Sequence, residues 1–141
     1  MRNMSAAEAW AFLRAGKRTA KLATTRADGA PHVVPVWFIV VEAAVVFTCA
    51  GGSVKGRNLA RDPRVAVSVD DEVFPYTFVT VSGSVQVAER PDDLLAWTTR
   101  IARRYVGAAR AGEYGRRNAQ LDDWLVRVGP ERILARAEIA L

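Results

Sequence analysis

Histidine and cysteine are nearly missing from this 141-residue sequence, which contains one of each, His32 and Cys49. Zinc sites normally need three or four nitrogen or sulfur ligands, so this pair cannot supply one. A single cysteine excludes a disulfide within the chain and favours a reducing compartment. A Ser-His-Asp triad would have to use His32, and no G-x-S-x-G motif is present. We expect His32 to be structural and Cys49 to be a small packed residue.

Long apolar runs are missing as well. The longest, residues 33–41, is interrupted by Pro35 and falls short of the roughly 20 residues that a membrane-spanning helix needs. No apolar run follows residues 1–5, so no secretory signal is indicated. We therefore expect a cytoplasmic protein without membrane insertion.

The charge, in contrast, is clearly unbalanced, with a net value of +5. A basic balance favours an anionic partner: nucleic acid, a membrane surface or a phosphorylated small molecule. The net charge alone does not choose among these three.

Capping and alternation patterns predict a mostly β chain. Ser5 and Glu8 form a capping box that opens a short helix. Residues 19–25 and 32–41 read as strands joined by a hairpin, and a tight turn leads from the latter into a further strand over residues 45–48. The second is almost entirely apolar, which is typical of a strand covered on both faces, with an edge, bulge or opening at Pro35.

The second half adds further strands and one helix. Residues 64–69 form a short strand, and residues 76–88 alternate with a clean period of two. A helix is predicted to open at residues 91–93, before a basic, glycine-broken stretch over 110–117. The last strand, residues 124–137, bends at Gly129. Antiparallel strands with few helices indicate a barrel or sandwich, and we expect one domain over residues 1–141.

Acidic pairs offer little chemistry. Asp70 to Glu72 and Asp122 to Asp123 are predicted to lie in turns as solvated charge. The sequence also has no Walker A loop and no G-x-G-x-x-G motif, which excludes those nucleotide sites.

One segment, residues 51–59, has the composition of an anion site. Gly51 and Gly52 allow close approach of the backbone to a ligand. Ser53 stands where a helix begins, and the free N–H groups and dipole of a helix start attract phosphate. Lys55 and Arg57 add two cations within one turn. The alternative interpretation is a surface helix with ordinary basic residues.

Short motifs follow one another in a characteristic order: TAKLATT at 19–25, DGAPH at 28–32, VPVWF at 34–38, VFT at 46–48, KGRNL at 55–59, DPRV at 62–65 and VSGSV at 81–85. Their order and spacing resemble the flavin-reductase-like split barrel of the pyridoxamine-phosphate-oxidase superfamily. The resemblance implies a mainly β fold, a six-stranded antiparallel split barrel with short flanking helices.

Within that superfamily, KGRNL followed by Asp-Pro-Arg is most similar to the deazaflavin branch, which uses coenzyme F420. The resemblance implies that one segment holds the cofactor phosphate, that another lines the ring system largely through its backbone, and that Thr48 lies near the phosphate and ribityl chain. The phosphate segment comprises Ser53, Lys55, Arg57 and Asn58, and the ring segment comprises Pro35, Val36 and Trp37.

The implied activity is hydride transfer between the deazaflavin and an unsaturated organic substrate, with no catalytic residue required in the protein. The alternatives are an oxidase or flavin reductase that binds flavin mononucleotide (FMN), and a non-catalytic carrier of a cofactor or tetrapyrrole. Pyridoxamine-phosphate oxidase activity is not expected, because the arginine and histidine contacts that it needs cannot be placed. The resemblance also implies a homodimer with two sites at its interface.

A basic stretch contributes six arginines: Arg100, Arg103, Arg104, Arg110, Arg116 and Arg117. We favour a solvated helix face, the alternative being attraction for the acidic polyglutamate tail of the cofactor. Nucleic-acid binding is not expected, because interleaved aromatic residues are few and no binding motif matches.

Overall fold

The computed structural model describes residues 1–120 and 123–141, and these form eight strands and four helices. The strands are β1 (Arg2–Asn3), β2 (Ala20–Thr25), β3 (Pro31–Val36), β4 (Ile39–Val41), β5 (Ala44–Ala50), β6 (Arg64–Asp71), β7 (Thr77–Glu89) and β8 (Asp123–Ala137). The helices are α1 (Ala6–Arg14), α2 (Val54–Arg61), α3 (Leu94–Val106) and α4 (Ala108–Asn118). None of these helices is both long enough and apolar enough to cross a bilayer.

All strand pairs are antiparallel, in the order β3-β2-β6-β7-β8-β5-β4, with β1 added to the end of β8. The long strands β7 and β8 pair along most of their length, and their register shifts between Ser82 and Gly83, opposite Pro130. This irregularity is the bend predicted near Gly129. A bulge increases the local twist and lets a long strand pair curl.

The split-barrel fold class is confirmed, although the described residues contain eight strands and not six. One extra strand is the two-residue β1. The other arises because the single strand predicted over residues 32–41 is interrupted at Trp37 and Phe38, which separate β3 from β4.

The core lies inside the curled sheet. Leu22, Phe47, Val67 and Val81 belong to four different strands, and each is at most 1% exposed. The predicted alternation of β7 is confirmed, since Val79 and Val81 are fully buried whereas their neighbours are partly exposed. Burial of each such side chain stabilises the fold by about 1.5–3 kcal/mol.

Strand β3 corrects one prediction. It was expected to be covered on both faces, but Pro31, Val33 and Pro35 are exposed and only Val36 is buried. The reason is its place in the sheet: β3 pairs with β2 alone and forms an edge. The edge predicted from Pro35 is therefore confirmed. The burial predicted from the apolar composition of this strand is wrong.

The helix starts are partly as predicted. Ser5 caps α1, accepting a hydrogen bond from the Glu8 N–H at 3.1 Å. Helix α3 begins later than residues 91–93, at Leu94, with Asp93 as its cap.

Helix α4 was not predicted, because its glycines and its charge concealed the helical pattern. One of those glycines has a packing role. A Cβ at Gly115 would stand 2.8 Å from the Cα of Thr99, so glycine is required where α4 crosses α3. The Thr98 hydroxyl also donates to the Gly115 carbonyl at 2.7 Å.

The acidic residues near position 70 are also placed differently. Asp70 and Asp71 end strand β6 and do not lie in a turn, and they pair with Lys21 and Arg18 respectively. Asp123 begins β8, whereas Asp122 lies outside the described residues.

Candidate functional site

A cavity of about 500 Å³ lies between one end of the barrel and the pair α3–α4. The barrel contributes strand ends and the start of α2, and the helices close the opposite side. The lining residues are Pro35, Val36, Trp37, Thr48, Cys49, Ala50, Lys55, Thr98, Ile101, Tyr114, Arg117, Asn118, Gln120 and Asp123.

On the barrel side of this main cavity, the pairing of neighbouring strands positions the lining residues. The last residues of β5 pair with the first residues of β8: Thr48 with Leu125, Cys49 with Trp124, and Ala50 with Asp123. Pro35 pairs with Lys21 near the end of β3. Sheet pairing therefore fixes the backbone on this side before any ligand binds.

Stacked aromatic rings form one corner. The rings of Trp37 and Tyr105 are almost parallel, with centroids 4.9 Å apart, and Tyr114 is tilted against Trp37 at 6.1 Å. The Tyr105 hydroxyl accepts a hydrogen bond from the Phe38 N–H at 3.0 Å and lies 3.1 Å from the Arg18 carbonyl oxygen, to which it can donate. Burial raises the pKa of Tyr105, so the phenol stays protonated at neutral pH. These contacts hold Trp37 in one orientation.

The start of α2 reaches the cavity through Lys55. Ser53 caps the helix as predicted: its hydroxyl oxygen accepts from the Gly56 N–H at 3.1 Å and donates to the Ala50 carbonyl at 2.6 Å. Gly56 lets the helix lie close to the preceding turn, because a Cβ there would stand 2.7 Å from the Gly51 oxygen.

Arg57 and Asn58 lie on another side of α2. The Asn58 side chain is 4% exposed; its amide donates to the Thr24 hydroxyl at 3.0 Å, and its oxygen accepts from Arg61 at 2.9 Å. Arg57 donates to the Gly52 carbonyl at 2.7 Å. Both residues line a separate cavity of about 370 Å³ beside residues 26–28. This cavity contains cationic side chains but none of the ring-segment residues.

The structure thus brings five of the eight predicted residues together in the main cavity: Pro35, Val36, Trp37, Thr48 and Lys55. Ser53 stands at the helix cap beside it, and Arg57 and Asn58 face the smaller cavity. The cofactor role of all eight remains a prediction.

The helical side of the main cavity was missed by sequence reasoning. Thr98 and Ile101 come from α3, and Tyr114, Arg117 and Asn118 come from α4. The sequence does contain a signal for α4. Tyr114 and Gly115 follow Ala111 by three and four residues, and Asn118 follows them by four and three, which places these positions on one face of a helix.

The charges of the main cavity are mixed. Lys55 and Arg117 are cationic, and the 8% exposed Asp123 accepts a hydrogen bond from the Gln120 N–H at 3.2 Å. Burial raises the pKa of the Cys49 thiol to about 11, against the opposing effect of Lys55. Cys49 is therefore a neutral, packed thiol at neutral pH, as expected from the sequence.

The six arginines of the basic stretch have different surroundings. Arg100, Arg103, Arg110 and Arg116 are exposed, in agreement with a solvated face. Arg104 corrects this interpretation: it is half-buried and donates to the carbonyls of Leu13, Ala15, Gly16 and Phe38. Arg117 lines the main cavity.

His32 pairs with Thr24 in the hairpin of β2 and β3 and does not line the main cavity. In the part of the chain that the structure describes, no three histidine, cysteine or acidic residues cluster as a metal site would require.

Comparison with known proteins identifies the family. A sequence profile for pyridoxamine 5'-phosphate oxidase matches residues 6–136, which is most of the chain. The chain belongs to the pyridoxamine 5'-phosphate oxidase family. The resemblance inferred from the short motifs is confirmed. No curated protein matches the sequence.

Solved structures of this family's fold agree with that assignment. A conserved hypothetical protein from Mycobacterium tuberculosis is 27% identical with a TM-score of 0.83, covering 96% of this chain and 86% of that chain. An F420 reductase is 29% identical with a TM-score of 0.71, covering 86% and 93%. An FAD-binding protein from Mycobacterium smegmatis, 22% identical with a TM-score of 0.63 and coverage of 96% and 98%, supports the fold alone. The chain therefore has an oxidoreductase-type, flavin-binding split-barrel fold.

Proposed function

We propose that this protein is an oxidoreductase that uses coenzyme F420 and transfers hydride between the deazaflavin and an unsaturated organic substrate. The observation that carries the proposal is the main cavity, in which Lys55 faces the same space as Pro35, Val36 and Trp37. The likeness to an F420 reductase supports the choice of cofactor.

The residues present fit such a cofactor. Its ring system is flat, and the stacked rings of Trp37 and Tyr105 lie beside the strand end that the resemblance assigns to ring binding. Its phosphate is anionic, and Lys55 at the start of α2 provides both a cation and a helix N-terminus. Thr48 adds a hydroxyl at the end of β5.

When bound, the deazaflavin supplies the hydride chemistry. The residues of the protein bind the cofactor and orient it. Lys55 holds an anionic group, β3 and Trp37 position a planar ring, and α4 covers the cavity with Tyr114 and Arg117. Cys49, a neutral thiol at neutral pH, contributes packing and not a nucleophile.

The decisive experiment is a fluorescence titration of the purified protein with F420 and with FMN. Tight binding of F420 alone supports the proposal. Tight binding of FMN alone overturns it in favour of an FMN-binding oxidase or flavin reductase. F420 binding without turnover over a broad panel of unsaturated substrates would indicate a carrier.

Substitutions locate the cofactor phosphate. Lys55→Ala is expected to weaken F420 binding at least tenfold, and Lys21→Ala, which removes an exposed lysine paired with Asp70, should change it less than twofold. Arg57→Ala is also expected to weaken binding. An effect of Lys55 alone would confine the phosphate to the main cavity, and no effect of either would contradict the assignment.

We also propose a homodimer with the sites at its interface. The exposed face of β3 is apolar through Pro31, Val33 and Pro35, and Val33 is 64% exposed. Because Pro35 also lines the main cavity, a partner covering this face would border the site. Light scattering after size exclusion tests this, and Val33→Glu is expected to shift a dimer toward monomer. A wild-type monomer at all concentrations would exclude it.

A further inference from the structure

A second cavity, of about 310 Å³, lies on the flank of α3 away from the main cavity. Its walls are the end of α1, the edge strand β4 and α3. It shares no lining residue with the main cavity, and its lining residues are Arg14, Ile39, Val40, Arg100, Arg103 and Arg104. We call it the arginine cavity.

The charge of this cavity is not neutralised by the protein. Among the described residues, no carboxylate lies within 4 Å of the guanidinium nitrogens of Arg14, Arg100, Arg103 or Arg104. Four arginines elsewhere in the described residues do pair with a carboxylate, for example Arg64 with Asp62 at 2.8 Å. Like charges gathered around a concave surface repel one another, and an anionic ligand relieves that repulsion.

The guanidinium groups are also partly held in place. Arg104 donates to four carbonyl oxygens at 2.7–3.2 Å and lies over the Phe38 ring at 4.4 Å. Arg14 donates to the Glu42 carbonyl at 3.0 Å, and Arg100 lies over the Trp97 ring at 5.5 Å. Fixing a side chain in advance reduces the entropy that binding costs.

The remaining donors suit an anion with several oxygens. The guanidinium group is a planar fork that binds phosphate or carboxylate oxygens in pairs. Arg100 and Arg103 are one turn apart on α3 and therefore share a face. The side chains of Arg14 and Arg100 keep donors that no contact within the described chain uses. Arg104 donates four hydrogen bonds to carbonyls from its five N–H groups and acts as a positioning residue.

We propose that the arginine cavity binds a small polyanion, a phosphate ester or polycarboxylate with at least two adjacent charged groups. The volume is near the lower limit of ordinary ligand pockets, about 300 Å³, which suits a small ligand and not a whole nucleotide cofactor. This site is separate from the main cavity, and the proposal does not depend on which cofactor binds there.

The test is isothermal titration calorimetry of the full chain, without cofactor and at low salt, which measures the affinity for pyrophosphate in one arm and for citrate in the other. The two arms distinguish phosphate from carboxylate ligands. Arg100→Ala with Arg103→Ala is expected to weaken binding at least tenfold. The control, Arg110→Ala with Arg116→Ala, removes the same charge from exposed positions on α4 and should change binding less than twofold.

Three results would overturn the proposal. One is no binding of either anion to the wild type. Another is an equal loss in the two double variants, which would show only general attraction by net charge. The third is loss of binding in Lys55→Ala, which would place the anion in the main cavity. Because Arg100 and Arg103 are exposed, unchanged thermal unfolding is expected to show that the double variant is folded.

Discussion

The barrel side and the helical side of the main cavity are attached to the molecule in different ways. Backbone ladders fix the barrel side, where β5 pairs with β8 and β2 pairs with β3. The helical side is tied to the barrel largely by side chains: Arg104 and Tyr105 anchor α3, and α4 packs mainly on α3. A cavity of this kind has one preformed wall and one that can adjust to its ligand.

The largest expected effect is on the free energy of unfolding, when a buried residue of the barrel side and one of the helical side are each replaced by alanine. Phe47 in β5 is fully buried, and Phe47→Ala should lower the free energy of unfolding by about 3–5 kcal/mol. Ile101 in α3 is 4% exposed, and Ile101→Ala should cost about 2–3 kcal/mol, because a wall held by side chains can relax around the lost volume. Urea unfolding measures both. A greater cost for Ile101→Ala would contradict the distinction.

The contact between α3 and α4 offers a way to move the helical side alone. Gly115→Ala forces a Cβ against Thr99 and should destabilise the protein by about 1–3 kcal/mol while weakening cofactor binding. The matched control is Gly112→Ala, where the new Cβ meets only the flexible end of Arg116 at 3.3 Å. Since alanine is the better helix former, that variant should gain up to about 1 kcal/mol. Equal effects of the two variants would show that α4 does not depend on this crossing.

Removal of one hydroxyl tests the anchor of α3. Tyr105→Phe leaves the Phe38 N–H without its acceptor and should cost about 1–3 kcal/mol in thermal unfolding. Tyr114→Phe is the control, because among the described residues the Tyr114 hydroxyl accepts only from exposed Arg110, and its loss should cost less than about 0.5 kcal/mol. A negligible effect of Tyr105→Phe would mean that Arg104 alone holds the helix.

The smallest effect at neutral pH concerns Cys49 on the barrel side. Its pKa of about 11 exceeds the value near 8.5 of an unfolded thiol, so the thiol stabilises the fold below about pH 8.5. That contribution is lost as the pH rises through 11, and Cys49→Ala should remove this part of the pH dependence. Alkylation should be slow at pH 8 and rise about tenfold per pH unit. Rapid alkylation at pH 8 would show that the barrel side opens.

The two sides also differ in how far the sequence predicts them. Alternating residues revealed β7, and Ser53 revealed the cap of α2. Pro35, Val36 and Trp37, which line the main cavity, were selected from the sequence because the short motifs occur in the order typical of the family. Each of these features depends on residues close together in the sequence.

The helical side depends on contacts between distant residues. Arg104 resembles any surface arginine until α1 and Phe38 are placed around it. Gly115 resembles a helix breaker until Thr99 lies against it. The separation of Asn58 from Lys55 likewise follows from the direction of the helix relative to β2, which local patterns do not specify.

The prolines of edge strand β3 have a consequence for solubility during synthesis and storage. An open sheet edge is a template on which further chains can add strands and polymerise. Proline has no N–H and is tolerated on an edge strand where that group would point away from the neighbouring strand. Pro31, Val33 and Pro35 are alternate residues of β3, so their backbone nitrogens all point away from β2. Two of these three nitrogens belong to proline and cannot donate a hydrogen bond to an added strand. The free edge is thus a poor seed for fibrils, even though its exposed side chains are apolar.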